Sequence, residues 1–472
     1  MSSNTQLQRV LKSRHIFMLS LGGVIGTGLF QGSGLIINQG GPIGAVLAYL
    51  FAGLVMYLVM VCLAELSVEM PVSGSFQAHA TRYIGPATGF MLGWVYWVCW
   101  VVTVGLEFTA AGMLMTRWFP DVPVWFWSGF FAAMLLGINA LTTKLFGEVE
   151  YWFSAIKVSA ILAFIVIGGL AMFGVIPMAS GEAAPYFKHF MTEEIFPNGI
   201  GALLTLMMAV VYSFQGCEIM GVAAGETEKP EKSIPRAARN MVYRVLIFYV
   251  LSIIILSCLI PWTEAGLVAS PFVQVFDRVG IPYAADVMNF VILTAILSVA
   301  NSGLYAATRV LWSMSRSGMA PKAFGRLNRR NVPVIALTAT IAGSLVCLLS
   351  SVIAPDTLFV LLAAIAGLAG TVTWLMIAVV QYRFRRGYER LGGKSKDLKY
   401  AAPGFPYLTI ACIVVCILLI ACMAVDPGQR ISLFGGLGFI LFCYGIFPLF
   451  KPKPGTASSH DILEPNHAAT RH

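Results

Sequence analysis

Charge is what this chain has little of. Asp, Glu, Lys and Arg make up 11% of its 472 residues and hydrophobic residues 58%, where a soluble globular domain carries about 25% charged residues. Too few charges remain to solvate a globular surface, so the composition is that of an integral membrane protein. Cysteine is missing from every connection expected outside the cell. All nine (Cys62, Cys99, Cys217, Cys258, Cys347, Cys412, Cys416, Cys422 and Cys443) lie in or at the ends of apolar stretches, which argues against a disulfide framework. The six histidines fall in loops and tails with no metal-site spacing, so neither a metal nor any other cofactor is expected. No nucleophile, base and orienting group cluster as an enzyme requires. The formal charge of +9 is spread over separate short loops, unlike the continuous basic patch that binds nucleic acid.

Long hydrophobic runs, by contrast, fill the chain. With about 20 apolar residues per crossing, twelve candidate spans fall near 16–38, 43–66, 87–118, 123–142, 152–175, 199–224, 241–261, 281–311, 334–353, 357–380, 405–425 and 431–450. The expected organisation is an N-terminal tail over 1–15, one all-α membrane domain over 16–450, and a polar, disordered tail over 451–472. No small-residue cleavage site precedes the first span, which reads as a retained helix. Placing both termini in the cytoplasm leaves only Arg117, Lys188, Arg278 and Arg430 outside and Lys157 within the membrane, of 31 basic residues. That satisfies the positive-inside rule, and the basic loops 229–244, 316–330 and 383–399 are placed to meet anionic lipid headgroups.

Two spans are interrupted by glycine-rich polar strings, GVIGTGLF at Gly23–Phe30 and SFQGCEIMG at Ser213–Gly221. A membrane helix carries such a break only where the freed backbone faces a cavity or ligand. Breaks at matching positions in two halves of a chain point to a secondary transporter with a midplane site. If helices one to five and six to ten form two repeats, five being odd, the second is inverted and helices eleven and twelve are additions. In the first break, Gly26, Thr27 and Gly28 would expose amides at a half-helix N-terminus, where a carboxylate is favoured; the competing reading is close packing through small residues. In the second, carbonyls freed around Phe214, Gln215, Gly216 and Cys217 suit an ammonium, with Phe214 as an apolar gate.

Four other polar positions stand out. Glu107 and Glu218 read as the two acids deep in a span, at a cost of at least about 2.5 kcal/mol each. Facing the cavity, Glu107 would favour a cationic side chain; otherwise it reaches toward external water along a tilted helix. Glu218 either serves the site or ties the broken helix to a neighbour. Lys157, about one and a half turns into the fifth span, either exchanges a proton or snorkels to the interface. Ser298, Asn301 and Ser302 form a polar patch in the eighth span that either faces Lys157 or bonds between helices.

Together, GVIGTGLF, ELSVEMPVSGSF, WFSAIKV, SFQGCEIMGVAAGETEKPEKSIPRA and ILSVANSGLYAATRVLWSMS resemble the amino acid transporter family of the amino acid–polyamine–organocation superfamily, over about residues 5–450. The resemblance implies the inverted-repeat fold shared with the bacterial leucine transporter. It also implies proton-coupled uptake of an amino acid across the bacterial inner membrane by alternating access. It places the substrate carboxylate on Ile25, Gly26, Thr27 and Gly28, and the α-ammonium on Phe214, Gln215, Gly216, Cys217 and Glu218. Lys157 stands where related sodium-coupled transporters hold a sodium ion. Among its members the chain looks most like arginine/ornithine permeases, then S-methylmethionine and lysine permeases, with Glu107 deciding that order. Cys217 departs from the threonine of many relatives. The alternatives are a neutral amino acid permease, an exchanger such as arginine against ornithine, and a receptor that senses amino acids without moving them.

Overall fold

The structure, a computed structural model, describes residues 7, 9–179, 181, 183–191, 195–266, 270–347 and 355–450. The expected C-terminal tail and the end of the ninth expected span lie outside the described residues. Helices dominate, and each expected span falls on helix. The first is split into α1 (Ser13–Gly22) and α2 (Thr27–Phe30), with the chain between them unwound. Then α3 (Gly32–Glu69) carries the outer part of the first span and all of the second as one 38-residue element. It bends at Gly41, whose φ of 72° only glycine tolerates well, followed by Pro42, which offers no N–H to the ladder.

Next come α4 (Ser75–Tyr83), α5 (Pro86–Met115), α6 (Val124–Leu141) and α7 (Thr143–Met172). The Thr142 side chain caps α7 by accepting from the Leu145 amide at 3.1 Å. That cap starts the fifth helix nine residues before the expected 152, a difference that matters below. The sixth expected span is again split, into α8 (Gly199–Tyr212) and α9 (Ile219–Ala223). There follow α10 (Pro230–Arg239), α11 (Met241–Arg244), a π-helical stretch over Val245–Val250, α12 (Leu251–Leu259), α13 (Pro271–Val279), α14 (Ala284–Arg316), α15 (Val334–Cys347), α16 (Pro355–Arg390), α17 (Tyr407–Cys422) and α18 (Pro427–Ile446).

Among the described residues, eight helices are long and apolar enough to cross a membrane, and three shorter apolar ones accompany them. Burial sorts them. The apolar windows of α5 and α14 are 89% buried, against 17% for the C-terminal helix, so α5 and α14 form the centre and α18 faces lipid. A helix that is hydrophobic all round belongs in such a centre.

The N-terminal stretch docks on the fold. Leu11 donates its amide to Glu226 O at 2.9 Å and accepts from the Glu228 amide at 3.0 Å. Ser13 pairs with Ser233 at 2.7 Å, and Arg14 pairs with Glu148. More acids are buried than the two expected. Glu65 accepts from Arg385, Gln381 and the Ala402 amide, and Glu226 accepts from Arg309, Tyr305 and Thr143. Both lie close enough to an apolar run to look like ordinary loop acids in sequence. Breaking a buried pair on one side strands a charge, at a cost of about 3–5 kcal/mol. Arg385→Ala should therefore lower the thermal midpoint of detergent-purified protein by several degrees, and Glu65→Gln with Arg385→Met should recover much of the loss. Equal destabilisation by both variants would show that the pair's charge is irrelevant.

Candidate functional site

The two breaks meet. Gly216 has φ 101°, a conformation that favours glycine, and a Cβ there would overlap the Gly23 carbonyl oxygen. Gly28 packs so closely on Ser213 that no side chain fits. Ser213 Oγ donates to Gly28 O at 3.0 Å, and Tyr249 OH lies 3.2 Å from Val24 O and 3.0 Å from Ser213 O. Small residues are thus required by close approach, as the packing reading held. Unwinding accompanies it nonetheless: among the described residues, the amides of Gly26, Thr27 and Gly28 reach no backbone carbonyl. In the second break the Phe214 and Gln215 carbonyls likewise receive no backbone N–H.

Between the breaks and α5 lies a small, partly open space, lined by Val24, Gly26, Thr27, Gly28, Trp100, Thr103, Glu107, Tyr212, Ser213, Gln215 and Val299. Glu107 is buried in its wall. Thr27 Oγ1 donates to Glu107 Oε1 at 2.8 Å, while Glu107 Oε2 has no hydrogen-bond partner. Phe214, fully buried, packs its ring against Tyr49 and Tyr249, with centroids at 6.0 and 4.5 Å.

Gln215 and Glu218 turn their side chains into the scaffold. Gln215 Nε2 donates to Ala366 O at 3.0 Å on α16. Glu218 Oε2 accepts from the Gly216 amide at 3.1 Å and from Trp374 Nε1 at 3.2 Å, and Oε1 lies 3.4 Å from Tyr96 OH. The neighbouring Cys217 Sγ lies 3.7 Å from Glu218 Oε2. These contacts fix the shape of the second break from α5 and α16.

Lys157 lies midway along α7, fully buried, instead of near its end. Snorkelling is therefore closed to it. Its Nζ donates to Gly22 O, to Ile25 O at 3.2 Å and to Ser298 Oγ at 2.8 Å, with Ala295 O at 3.5 Å. One ammonium thus joins α7, the first break and α14. Behind it stands Glu150, buried on α7, which accepts from Ser298 Oγ and, at 3.2 Å, from Asn301 Nδ2. Asn139 Nδ2 in turn donates to Asn301 Oδ1 at 2.7 Å. Ser302 is buried one turn from Ser298. Glu150 was missed because the fifth span was expected to begin at 152, two residues beyond it. Tyr49, Tyr249 and Tyr212 were missed because mid-span aromatics look like core. Among the described residues no group of His, Cys, Asp and Glu is arranged to hold a metal ion.

The chain matches the amino acid permease family over residues 15–449. It belongs to that family. The permease is 52% identical to the amino-acid permease RocE of Bacillus subtilis (strain 168), over 96% of this chain and 97% of that one. It is 50% identical to the amino-acid permease RocC of the same organism, over 97% of each. Identity to the lysine-specific permease LysP of Escherichia coli (strain K12) is 43%, over 88% and 86%. The permease is accordingly a multi-span membrane protein of amino acid transport and not an enzyme.

The Gly23–Gly216 contact makes a sharp prediction. Gly216→Ala should reduce uptake of radiolabelled amino acid by at least about tenfold at equal expression, because strain at positive φ adds to the overlap. Gly435→Ala, where a Cβ meets open space, should leave uptake unchanged.

Proposed function

We propose that the permease is a proton-coupled importer of a cationic amino acid of the arginine, ornithine or lysine type. It would work by alternating access in the bacterial inner membrane, with twelve crossings, two inverted five-helix repeats and both termini cytoplasmic. The membrane domain then spans residues 16–450 between two cytoplasmic tails. The observation that carries the substrate class is Glu107. One of its oxygens is held by Thr27 and the other is unpartnered in the wall of the space that the free amides of Gly26, Thr27 and Gly28 border. A zwitterion placed there sets its carboxylate on those amides and its ammonium against the Phe214 and Gln215 carbonyls, leaving the side chain toward Glu107. A buried, unpaired carboxylate oxygen is costly, and a guanidinium or ammonium satisfies it with a charge-assisted bond. The lysine-specific relative supports a basic side chain.

Coupling is assigned to Lys157. Charged, it holds the Gly22 and Ile25 carbonyls. Neutral, it loses the charge-assisted part of that hold, and α1 is released. Its proton leaves along the hydrogen-bonded line from Lys157 through Ser298 to Glu150, with Asn301 and Ser302 fixing the far end. In this reading Ile25 and Gly26 belong to both machineries, the carbonyl side to the proton and the amide side to the substrate. Gly216, Cys217 and Glu218 keep the second break in shape.

Proteoliposomes with an inward proton gradient test the assignment. Arginine uptake should depend on the gradient and be competed by ornithine and lysine more than by leucine. Glu107→Gln should weaken cationic substrates by at least about tenfold, the worth of one charge-assisted bond, and neutral competitors far less; equal loss for both would remove Glu107 from side-chain recognition. Lys157→Ala should retain binding and lose accumulation, whereas continued accumulation against a gradient would remove Lys157 from coupling.

A further inference from the structure

A second buried cation has no anion. Arg244, the last residue of α11, is 9% exposed and makes no ion pair among the described residues. Its Nη1 donates to Ser20 Oγ at 2.7 Å, its guanidinium stands 4.9 Å over the Phe17 ring, and its Nη2 has no hydrogen-bond partner. It lines a small, partly open cavity with Ser20, Val24, Met56, Phe214 and Tyr249 among the walls. Leaving a charged donor buried and unmatched costs several kcal/mol, so the site asks for an anion. The π-helical stretch Val245–Val250 begins at the next residue, a local distortion common at functional positions, and it brings Phe248 and Tyr249 to the same cavity.

The surroundings say which anion. Buried Phe214 and Ile25 line this cavity, and Val24 lines both it and the space beside Glu107. Phe17 and Tyr243 are 37% and 66% exposed, and Leu246 and Ile247 continue the exposed apolar face. One, two and three turns back toward the loop, Arg239, Arg236 and Lys232 are exposed at the helical spacing that leads to Tyr243. A basic stripe, an aromatic and then an apolar face is the order met by a lipid running from headgroup to acyl chain.

We propose that the groove between α1, α3 and the α11–α12 helix is a binding site for an anionic phospholipid. Its phosphate sits on Arg244 and Ser20, and its acyl chains lie along Leu246 and Ile247. Arg is suited to hold phosphate through two parallel bonds. Because Arg244 grips α1 through Phe17 and Ser20, the lipid would bear on the position of α1. The leaflet depends on the orientation proposed above; the site depends on neither that orientation nor the substrate.

Native mass spectrometry of the purified full chain with phosphatidylglycerol and phosphatidylcholine tests it. The parent should retain phosphatidylglycerol selectively, and Arg244→Gln should lower that retention by at least about tenfold, with Arg244→Lys intermediate. Thermal melting of the parent provides a reading that needs no variant: phosphatidylglycerol should raise the midpoint and phosphatidylcholine should not. Equal retention by parent and Arg244→Gln would overturn the proposal. So would loss of selectivity in Arg236→Gln with Arg239→Gln while Arg244 is intact, which places the lipid on the outer stripe alone. Displacement of the lipid by millimolar inorganic phosphate would assign the site to free phosphate, and displacement by arginine would assign it to transported substrate; either result overturns it.

Discussion

One buried ammonium organises this protein. Lys157 satisfies carbonyls that the unwinding of the first break would otherwise leave bare in the interior, and the break in turn supplies the acceptors that make a buried lysine tolerable. Neither is stable alone: bare carbonyls and a bare ammonium each carry a desolvation penalty of several kcal/mol in a low-dielectric interior. The mutual dependence explains why the first helix can be broken at all. It also fixes how α7 and α14 approach it, since Ser298 completes the ammonium's coordination. The second break needs a different solution. Glu218 performs it, accepting the Gly216 amide and anchoring the turn to Trp374.

In the proposed mechanism, substrate and proton are read by one stretch of backbone. Glu107 holds the first break through the Thr27 hydroxyl and Lys157 holds it through the Ile25 carbonyl, only two residues apart. In the proposed mechanism, communication between the two sites therefore needs no long pathway. A shift in residues 22–27 suffices, because the same peptide units present amides to one side and carbonyls to the other. That arrangement requires an unwound segment, since in a helix both groups would be spent on each other.

Much of this was legible before any coordinates. The breaks announced themselves through Gly26-Thr27-Gly28 and Gln215-Gly216-Cys217, where glycine and polar residues interrupt an apolar run, although close packing asks for small residues at the same places. Glu107 and Lys157 were conspicuous for the same reason. Glu150 and Glu65 were not, since an acid at the margin of an apolar segment looks solvated. Only the cap at Thr142 and the packing of α14 reveal that Glu150 is inside. The direction of a side chain was hidden too. Gln215 and Glu218 look like site residues in a linear string, yet each reaches for α16, a helix about 150 residues away in the chain. Helix periodicity says which face a residue occupies only while the helix continues, and these residues lie where it stops.

The brevity of α1 has a mechanical consequence. Ten residues make a rod of about 15 Å, and a pivot of about 20° at Gly23 swings its far end by about 5 Å, roughly the rise of one helical turn. Such a lever is short enough to move without disturbing α5 or α14. Its free end is pinned, however, by the Leu11 bonds to Glu226 and Glu228 and by the Ser13–Ser233 contact, so a swing of that size has to part these contacts as well as those at the pivot.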